Sequence, residues 1–239
     1  MKLALAIFRL AIMLYSMAFT LAAGAETVDV SAHFKVTKGR GANHSRSSGD
    51  VVVWLTPSRE GDKIAAPRAA QHYTLEQKGK QFIPHVLVVP TGSSVDFPNL
   101  DPFYHNVFSL FNGKRFDLGL YEAHTTRAVR FDRDGVSYIF CNIHPEMGAV
   151  VISLSTPYFG VSTPDGNITI RGVPAGSYRL HVWAENVPVD RLNALSRVVE
   201  ISPSNTHLGS FELQASGDIM THHQNKFGES YKPDSKETY

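Results

Sequence analysis

The sequence predicts an all-β protein, and three of its features lead to that prediction. Short apolar or alternating runs recur along the chain and are bounded by Gly, Pro, Asn and Asp. No segment of helical length is strongly amphipathic. Asp-Gly and Pro-Ala-Gly turns separate alternating segments within residues 158–183, as they do in β-hairpins. Together these features are typical of a β-sandwich or barrel.

The runs that we expect to form strands follow one another along most of the chain. They cover residues 28–37, 50–55, 82–89, 94–97, 106–111, 128–131, 136–141, 149–154, 167–170, 177–183, 196–201 and 210–213. Residues 38–49 are rich in Gly, Ser, Asn and Arg, which favours an exposed loop. Residues 58–70 mix charge with Ala and Pro and are interpreted as a linker or surface crossing.

The first 25 residues have the order of a secretory signal. Lys2 and Arg9 accompany an apolar run that ends on the small residues 23–25 (Ala-Gly-Ala), which predicts export to the periplasm with cleavage after Ala25. The apolar run is short for a transmembrane helix, which needs about 20 such residues. We therefore expect no membrane span after cleavage, with an uncleaved anchor as the alternative.

Composition limits the function classes. The 239 residues include 23 basic and 22 acidic side chains, so a near-neutral charge gives no reason to expect nucleic acid as a partner. The sequence contains one cysteine, Cys141. An exported protein with a single thiol cannot form an internal disulfide, so this thiol is either buried and inert or used chemically.

Two further metal donors follow that cysteine closely. Residues 136–141 resemble a strand that ends on Cys141, and His144 and Met147 come next, before residues 148–154 return as a strand. One tight loop between two strands can direct a thiolate, an imidazole and a thioether to a common centre. His144 alone is typical of a surface histidine and Met147 alone of a core residue, but their joint spacing from the cysteine favours a metal site.

This donor set needs a second imidazole, and His105 is the candidate. Two imidazoles and one thiolate with a long axial methionine define the electron-transfer copper site. A thioether donor favours copper over zinc. We therefore predict one type 1 copper held by His105, Cys141, His144 and Met147.

Residues on both sides of this set resemble a known family, the plastocyanin and amicyanin branch of the cupredoxins. The similar positions are Phe82-x-Pro84, Val88, Gly92, Val95-Asp96-Phe97-x-Asn99, Asp101, His105-Asn106-Val107 and residues 141–147. The two-residue gap between His144 and Met147 is similar to that of amicyanin, the acceptor for methylamine dehydrogenase. Residues 84–89, 114–121 and 156–159 further resemble exported bacterial methylamine utilisation proteins.

The resemblance implies roles for individual residues and a Greek-key sandwich for the region that carries them. It assigns the four ligand roles to the residues named above. It also implies that Asn106 ties the two ligand-bearing loops together and that its backbone amide bonds the Cys141 sulfur. His85 belongs to the family pattern, but no chemical role is assigned to it.

Other features distinguish an electron carrier from a redox enzyme. Copper oxidases and copper nitrite reductases need a histidine beside the thiolate, but Phe140 and Asn142 flank Cys141, and a binuclear copper centre needs two cysteines. We therefore expect an electron-transfer protein without enzymatic activity. Its partners would be a redox donor and a redox acceptor, with an amine dehydrogenase or a c-type cytochrome as candidates.

Two alternatives remain open at this point. A copper-binding or copper-delivery protein would expose clusters of methionine or histidine, whereas signal cleavage leaves Met147 and Met220. A structural β protein with a vestigial site is the other alternative. For the carrier, the His144 imidazole is the expected electron port, within an apolar docking surface that Pro102, Phe103, Tyr104 and Pro145 would form.

The remaining chain predicts a second, smaller sandwich. Residues 158–183 resemble the second half of a carboxypeptidase-regulatory-like domain, and the strands before residue 57 resemble its opening. The expected order is a signal peptide (1–25), opening strands of the second sandwich (26–57), a cupredoxin domain (70–155), the remainder of the second sandwich (156–214) and a polar tail (215–239). Two tandem domains are the alternative to this insertion, and disorder is the default for the tail.

Overall fold

The computed structural model describes residues 26–38, 49–59, 69–110, 113–216 and 224–231. The predicted signal and its cleavage site after Ala25 therefore lie outside the described residues, as does most of the loop predicted for residues 38–49. Within the described part of the chain, no helix is long and apolar enough to cross a membrane.

The described residues form strands joined by short turns, with one short helix. The strands are β1 (Thr27–Lys38), β2 (Val52–Pro57), β3 (His72–Thr74), β4 (Glu76–Gln77), β5 (Phe82–Ile83), β6 (Val86–Pro90), β7 (Ser94–Pro98), β8 (His105–Ser109), β9 (Phe116–Tyr121), β10 (Thr126–Arg130), β11 (Gly135–Phe140), β12 (Gly148–Leu154), β13 (Phe159–Val161), β14 (Asn167–Pro174), β15 (Gly176–Trp183), β16 (Arg197–Ile201) and β17 (His207–Ala215). The helix α1 (Val189–Leu195) follows Pro188, which starts its first turn. The all-β prediction is confirmed, and α1 is an element that the sequence analysis did not predict.

The middle of the chain forms what we call the site sandwich. One of its sheets has the order β10-β7-β3, and the other has the order β6-β12-β11-β8-β9. Alternate residues of these strands point inward, so that Val95, Phe97, Val107 and Ile139 lie in one core. This arrangement places the start of β8, the end of β11 and the start of β12 near one another.

Strands from the two ends of the described chain form what we call the flanking sandwich. Its sheets have the orders β14-β1-β17 and β13-β2-β15-β16. β2 and β13 are antiparallel neighbours, with Trp54 opposite Phe159, although β3 to β12 intervene in sequence. Such pairing is what an inserted site sandwich requires; the division of the chain into domains stays a prediction.

A third core joins the two sandwiches face to face. β12 is buried on both sides: Ala149 and Val151 face the core of the site sandwich, whereas Val150 and Ile152 pack with Val52 and Trp183 of the flanking sandwich. Since successive side chains of a strand point to opposite faces, a strand buried on both faces is apolar at nearly every position. The strand that follows the predicted ligand loop is therefore anchored by both sandwiches.

Candidate metal centre

The structure brings three of the predicted ligands together. His105 begins β8, Cys141 follows the last residue of β11, and His144 lies in the loop before β12. Nδ1 of His105 lies 3.8 Å and Nδ1 of His144 lies 3.5 Å from Sγ of Cys141. All three donor atoms lie within 4.8 Å of one another.

These separations agree with the demands of a single metal ion. A metal bonded to imidazole nitrogen at about 2.0 Å and to thiolate sulfur at about 2.3 Å, with trigonal angles, holds nitrogen and sulfur about 3.7 Å apart. The two measured nitrogen–sulfur distances lie close to that value. Because the donors are one soft thiolate and two imidazoles, the set fits copper.

Met147, the predicted fourth ligand, lies at the end of the same loop. It is fully buried in the core cluster that also contains Cys141. Its amide donates to the His144 carbonyl over 3.1 Å, and its carbonyl accepts from the Cys141 amide over 3.2 Å. The loop is thus closed on itself, so the three loop ligands are held as one unit. The role of Met147 as a metal ligand stays a proposal.

The sulfur of Cys141 is buried and surrounded by amide donors. Burial raises the pKa of the thiol, and backbone hydrogen bonds from Asn106, Ile143 and His144 oppose that rise. The same amides stabilise a thiolate once it forms. Metal binding to this site must therefore release the thiol proton.

A carboxylate that the sequence analysis left without a role holds His105 in place. Oδ2 of the buried Asp101 lies 2.8 Å from Nε2 of His105, which leaves Nδ1 facing the sulfur. A partner of this kind fixes the ring orientation and the tautomer of a metal-binding histidine. Burial lowers the pKa of His105 although Asp101 opposes this effect, so the ring is neutral and free to bind a metal.

The Asp101 carboxylate is itself held in place by a tight β-turn. Gly79 and Lys80 have φ of 63° and 56°, the left-handed region, and sit at the centre of a two-residue hairpin turn between β4 and β5. Their amides donate to Oδ1 and Oδ2 of Asp101 over 2.6 and 3.0 Å. Burial alone would raise the pKa of Asp101, but the hydrogen bonds from Lys80, His105 and Gly79 lower it. The carboxylate is therefore charged.

Asn106 meets one part of its predicted role in the structure. Its backbone amide bonds the Cys141 sulfur, as the resemblance implied. Its side chain, however, donates to Oδ1 of Asp117 on β9 over 2.8 Å. Oδ1 of Asn106 has no hydrogen-bond partner among the described residues. The side chain therefore does not reach the ligand loop directly.

Apolar residues lie next to the half-buried His144: Phe103 in space, and Ile143 and Pro145 along the chain. The Phe103 ring lies 5.2 Å from the ring of His105 and 5.7 Å from that of His144, measured between centroids. Tyr104 and Ile143 are 56% and 41% exposed. Of the residues predicted for this surface, Pro102 and Pro145 are also exposed, and Phe103 is half-buried.

Some residues that were not predicted to belong to the site also lie near it. His85, to which no role was assigned, lies at the junction of the two sandwiches, with Nδ1 3.2 Å from the Gly148 carbonyl and Nε2 3.0 Å from Oε2 of Glu185. Residues 224–231, within the tail for which disorder was the default, hydrogen-bond to the ligand loop through Lys226 and Tyr231. The expectation of disorder does not hold for these eight residues.

Comparisons with known proteins give cupredoxins as structural neighbours. A copper-containing nitrite reductase from Thermus scotoductus SA-01 is 24% identical, over 41% of this chain and 25% of its own length, with a TM-score of 0.33. A purple cupredoxin from Nitrosopumilus maritimus is 23% identical over 36% of this chain and 99% of its own, with a TM-score of 0.30. Amicyanin from Paracoccus versutus is 21% identical over 42% of this chain and 97% of its own, with a TM-score of 0.32.

These likenesses are partial. This chain spans a quarter of the nitrite reductase, and each neighbour matches less than half of this chain. No protein-family model matches the sequence. No curated protein matches it either. The function must therefore be inferred from the geometry of the site.

Proposed function

We propose that this protein is an electron carrier with a single type 1 copper bound by His105, Cys141, His144 and Met147. The observation that carries the proposal is the pair of nitrogen–sulfur distances, 3.8 and 3.5 Å, around one buried thiol. Copper in such a donor set supplies a one-electron couple between Cu(II) and Cu(I).

The residues around the donors favour electron transfer over metal delivery. His105, Cys141 and Met147 are fully buried, and a buried donor set restricts the access of a competing ligand. Asp101 holds the ring of His105, and the amides of Asn106, Ile143 and His144 point at the sulfur. Donors that are fixed in this way change little when the charge at the centre changes.

The chain also lacks the feature that an enzyme would use to pass electrons onward. Phe140 and Asn142 flank the cysteine in place of the histidine that would connect it to a second copper. We therefore propose a carrier without its own substrate site.

Partners would be redox proteins that dock at the exposed apolar residues beside His144. Transient redox complexes bury less than about 1,200 Å² in total, which suits a patch of a few side chains such as Tyr104 and Ile143. We propose the periplasm as the compartment, on the basis of the signal-like first 25 residues. An amine dehydrogenase or a c-type cytochrome are the candidate partners, and amine oxidation is the candidate process.

Substitution of the thiolate tests the proposal. Wild-type protein loaded with one copper should absorb intensely in the visible region, because a short copper–thiolate bond gives a strong charge-transfer band. Cys141→Ser should abolish that colour, since serine is a hard and weakly acidic donor. Retention of the colour would reject the site. A wild-type protein that binds copper without strong colour and yields it quickly to a chelator would favour copper delivery instead.

A further inference from the structure

Residues 224–231, which we call the tail segment, lie against the ligand loop. The Tyr231 hydroxyl donates to the Cys141 carbonyl over 2.7 Å. The Lys226 amide donates to Oδ1 of Asn142 over 2.9 Å. Two consecutive residues of the loop, one of them the predicted thiolate ligand, are therefore bonded to a segment 84 to 90 residues later in the sequence.

The tail segment also reaches the strand next to His105. Nζ of Lys226 lies 2.8 Å from Oδ2 of Asp117 on β9. Oδ1 of the same carboxylate accepts from the Asn106 side chain over 2.8 Å, and the Asn106 amide bonds the Cys141 sulfur. A chain of polar contacts thus runs from Asn106 through Asp117 and Lys226 to Asn142. This chain joins the two ligand-bearing loops, which the Asn106 side chain does not join directly.

The tail segment is held by polar contacts and by its own turn. Oδ1 of Asn225 accepts from the amides of Phe227 and Glu229 over 2.9 and 3.0 Å, which closes a compact turn. No residue of the segment is fully buried, and Phe227 is 70% exposed. Because little apolar surface fixes the segment, its hydrogen bonds and ion pair must decide whether it stays on the loop.

We propose that Tyr231 and Lys226 are positioning residues of the metal centre, which act by fixing the backbone of residues 141–142 against β8 and β9. The role of this positioning in metal retention rests on the function proposed above. The Tyr231 hydroxyl donates a hydrogen bond to the Cys141 carbonyl. Lys226 links Asn142 to Asp117, because its amide donates to Asn142 and its ammonium group pairs with Asp117. Their effect is to oppose local opening of the loop, and local opening is the step that exposes a buried thiolate to a competing ligand.

Hydrogen exchange in the metal-free protein tests the structural part. Tyr231→Phe removes the donor and keeps the ring, so amides of the peptide that covers residues 141–147 should exchange about fivefold faster, the factor that corresponds to about 1 kcal/mol for a lost hydrogen bond. Tyr178→Phe is the matched control, because the Tyr178 hydroxyl donates to the Pro174 carbonyl over 3.0 Å within the flanking sandwich. It should leave exchange in the ligand loop unchanged.

A lysine pair provides a second, independent contrast. Lys226→Met removes the ion pair with Asp117 but keeps the backbone hydrogen bond, so it should speed exchange in the same peptide by less than Tyr231→Phe. Lys114→Met is its control, since Lys114 pairs with the exposed Asp132 over 3.0 Å. Unchanged exchange of the loop in both Tyr231→Phe and Lys226→Met, or equal acceleration along the whole chain, would overturn the proposal.

Loss of copper to a chelator tests the consequence for the metal. In copper-loaded protein, Tyr231→Phe should release Cu(I) to excess bathocuproine disulfonate about fivefold faster than wild type and than Tyr178→Phe. Equal release rates would overturn the role in retention. If the wild-type protein binds no copper, the proposed function fails, and the exchange experiment on the metal-free chain still decides whether the tail segment positions the loop.

Discussion

Asp101→Asn should raise the reduction potential of the copper-loaded protein. The carboxylate lies 2.8 Å from Nε2 of His105 and is held by the amides of Gly79 and Lys80. Asparagine is nearly isosteric but neutral. Removing a negative charge near the metal disfavours Cu(II) relative to Cu(I), so the potential must rise.

The size of the rise follows from the geometry. The imidazole spans about 2 Å between its nitrogens, and a metal–nitrogen bond adds about 2 Å, so the charge would lie about 7 Å from the metal. At an effective dielectric constant of about 20, two unit charges at that separation interact with about 2.4 kcal/mol. For a one-electron couple this corresponds to about 100 mV.

The substitution should also lower stability by a small amount. The amide oxygen can replace Oδ2 and keep its bonds to Lys80 and His105, which leaves the Gly79 amide facing an NH₂ group in place of Oδ1. Loss of one acceptor costs about 1 kcal/mol, towards the low end for such losses because Gly79 is exposed to water.

Voltammetry of wild type and variant at matched copper occupancy measures the shift, and urea unfolding of the metal-free proteins measures stability. Asp96→Asn is the control, because Asp96 pairs over 3.2 Å with the exposed His72 and not with a predicted ligand. It removes the same charge and should move the potential far less. An Asp101→Asn protein that is less stable but has the wild-type potential would refute the reasoning.

Two further substitutions test other parts of the structure. Met147→Leu should keep copper and colour but shift the reduction potential, because an axial thioether tunes the Cu(II)/Cu(I) couple. The substitution should lower the free energy of unfolding by less than about 1.5 kcal/mol. Indistinguishable potentials of wild type and variant in voltammetry would remove Met147 from the site. Glu185→Gln should lower the unfolding free energy of the metal-free protein by at most about 1 kcal/mol, and only at low pH. The reason is that the hydrogen bond that His85 donates to Glu185 raises the pKa of this partly exposed histidine, although burial opposes it. The stabilisation from this ion pair is fully present below about pH 6.5 and is lost as pH rises through the raised pKa of His85. Urea unfolding should therefore show a difference between wild type and Glu185→Gln near about pH 5.5 that disappears near about pH 8.5. A difference that does not depend on pH would contradict the ion pair.

The sequence predicted strands well where burial imposes a pattern. β11 and β12 were predicted within one residue at each end, because alternation or continuous apolar character marks strands that bury one or both faces. β9 was not predicted, since its Asp117 and Gly119 are typical of turns and the strand is held by pairing with β8. The short β3 and β13 were missed for another reason: their partners, β7 and β2, are distant in sequence.

Recognition of the site followed the same division between local and distant contacts. Cys141, His144 and Met147 share one loop, so their spacing alone could place them together. The partner of His105 could not be found in this way, because Asp101 is held against His105 by the amides of the turn at Gly79 and Lys80, and the sequence does not show this contact. The tail segment was further from prediction, since a polar stretch without apolar anchors gives no pattern that indicates where it binds.

The flanking sandwich reaches the same loop from its other end. His85 can donate from Nδ1 to the Gly148 carbonyl and from Nε2 to Glu185 only when both ring nitrogens carry protons, which agrees with the raised pKa of His85. Glu185 follows β15 of the flanking sandwich, and Gly148 directly follows Met147. The loop is therefore held at its start by the tail segment and at its end by a contact between sandwiches. Because the second contact weakens with rising pH and the first does not depend on His85, the end of the loop that carries Met147 is the one whose anchoring responds to pH.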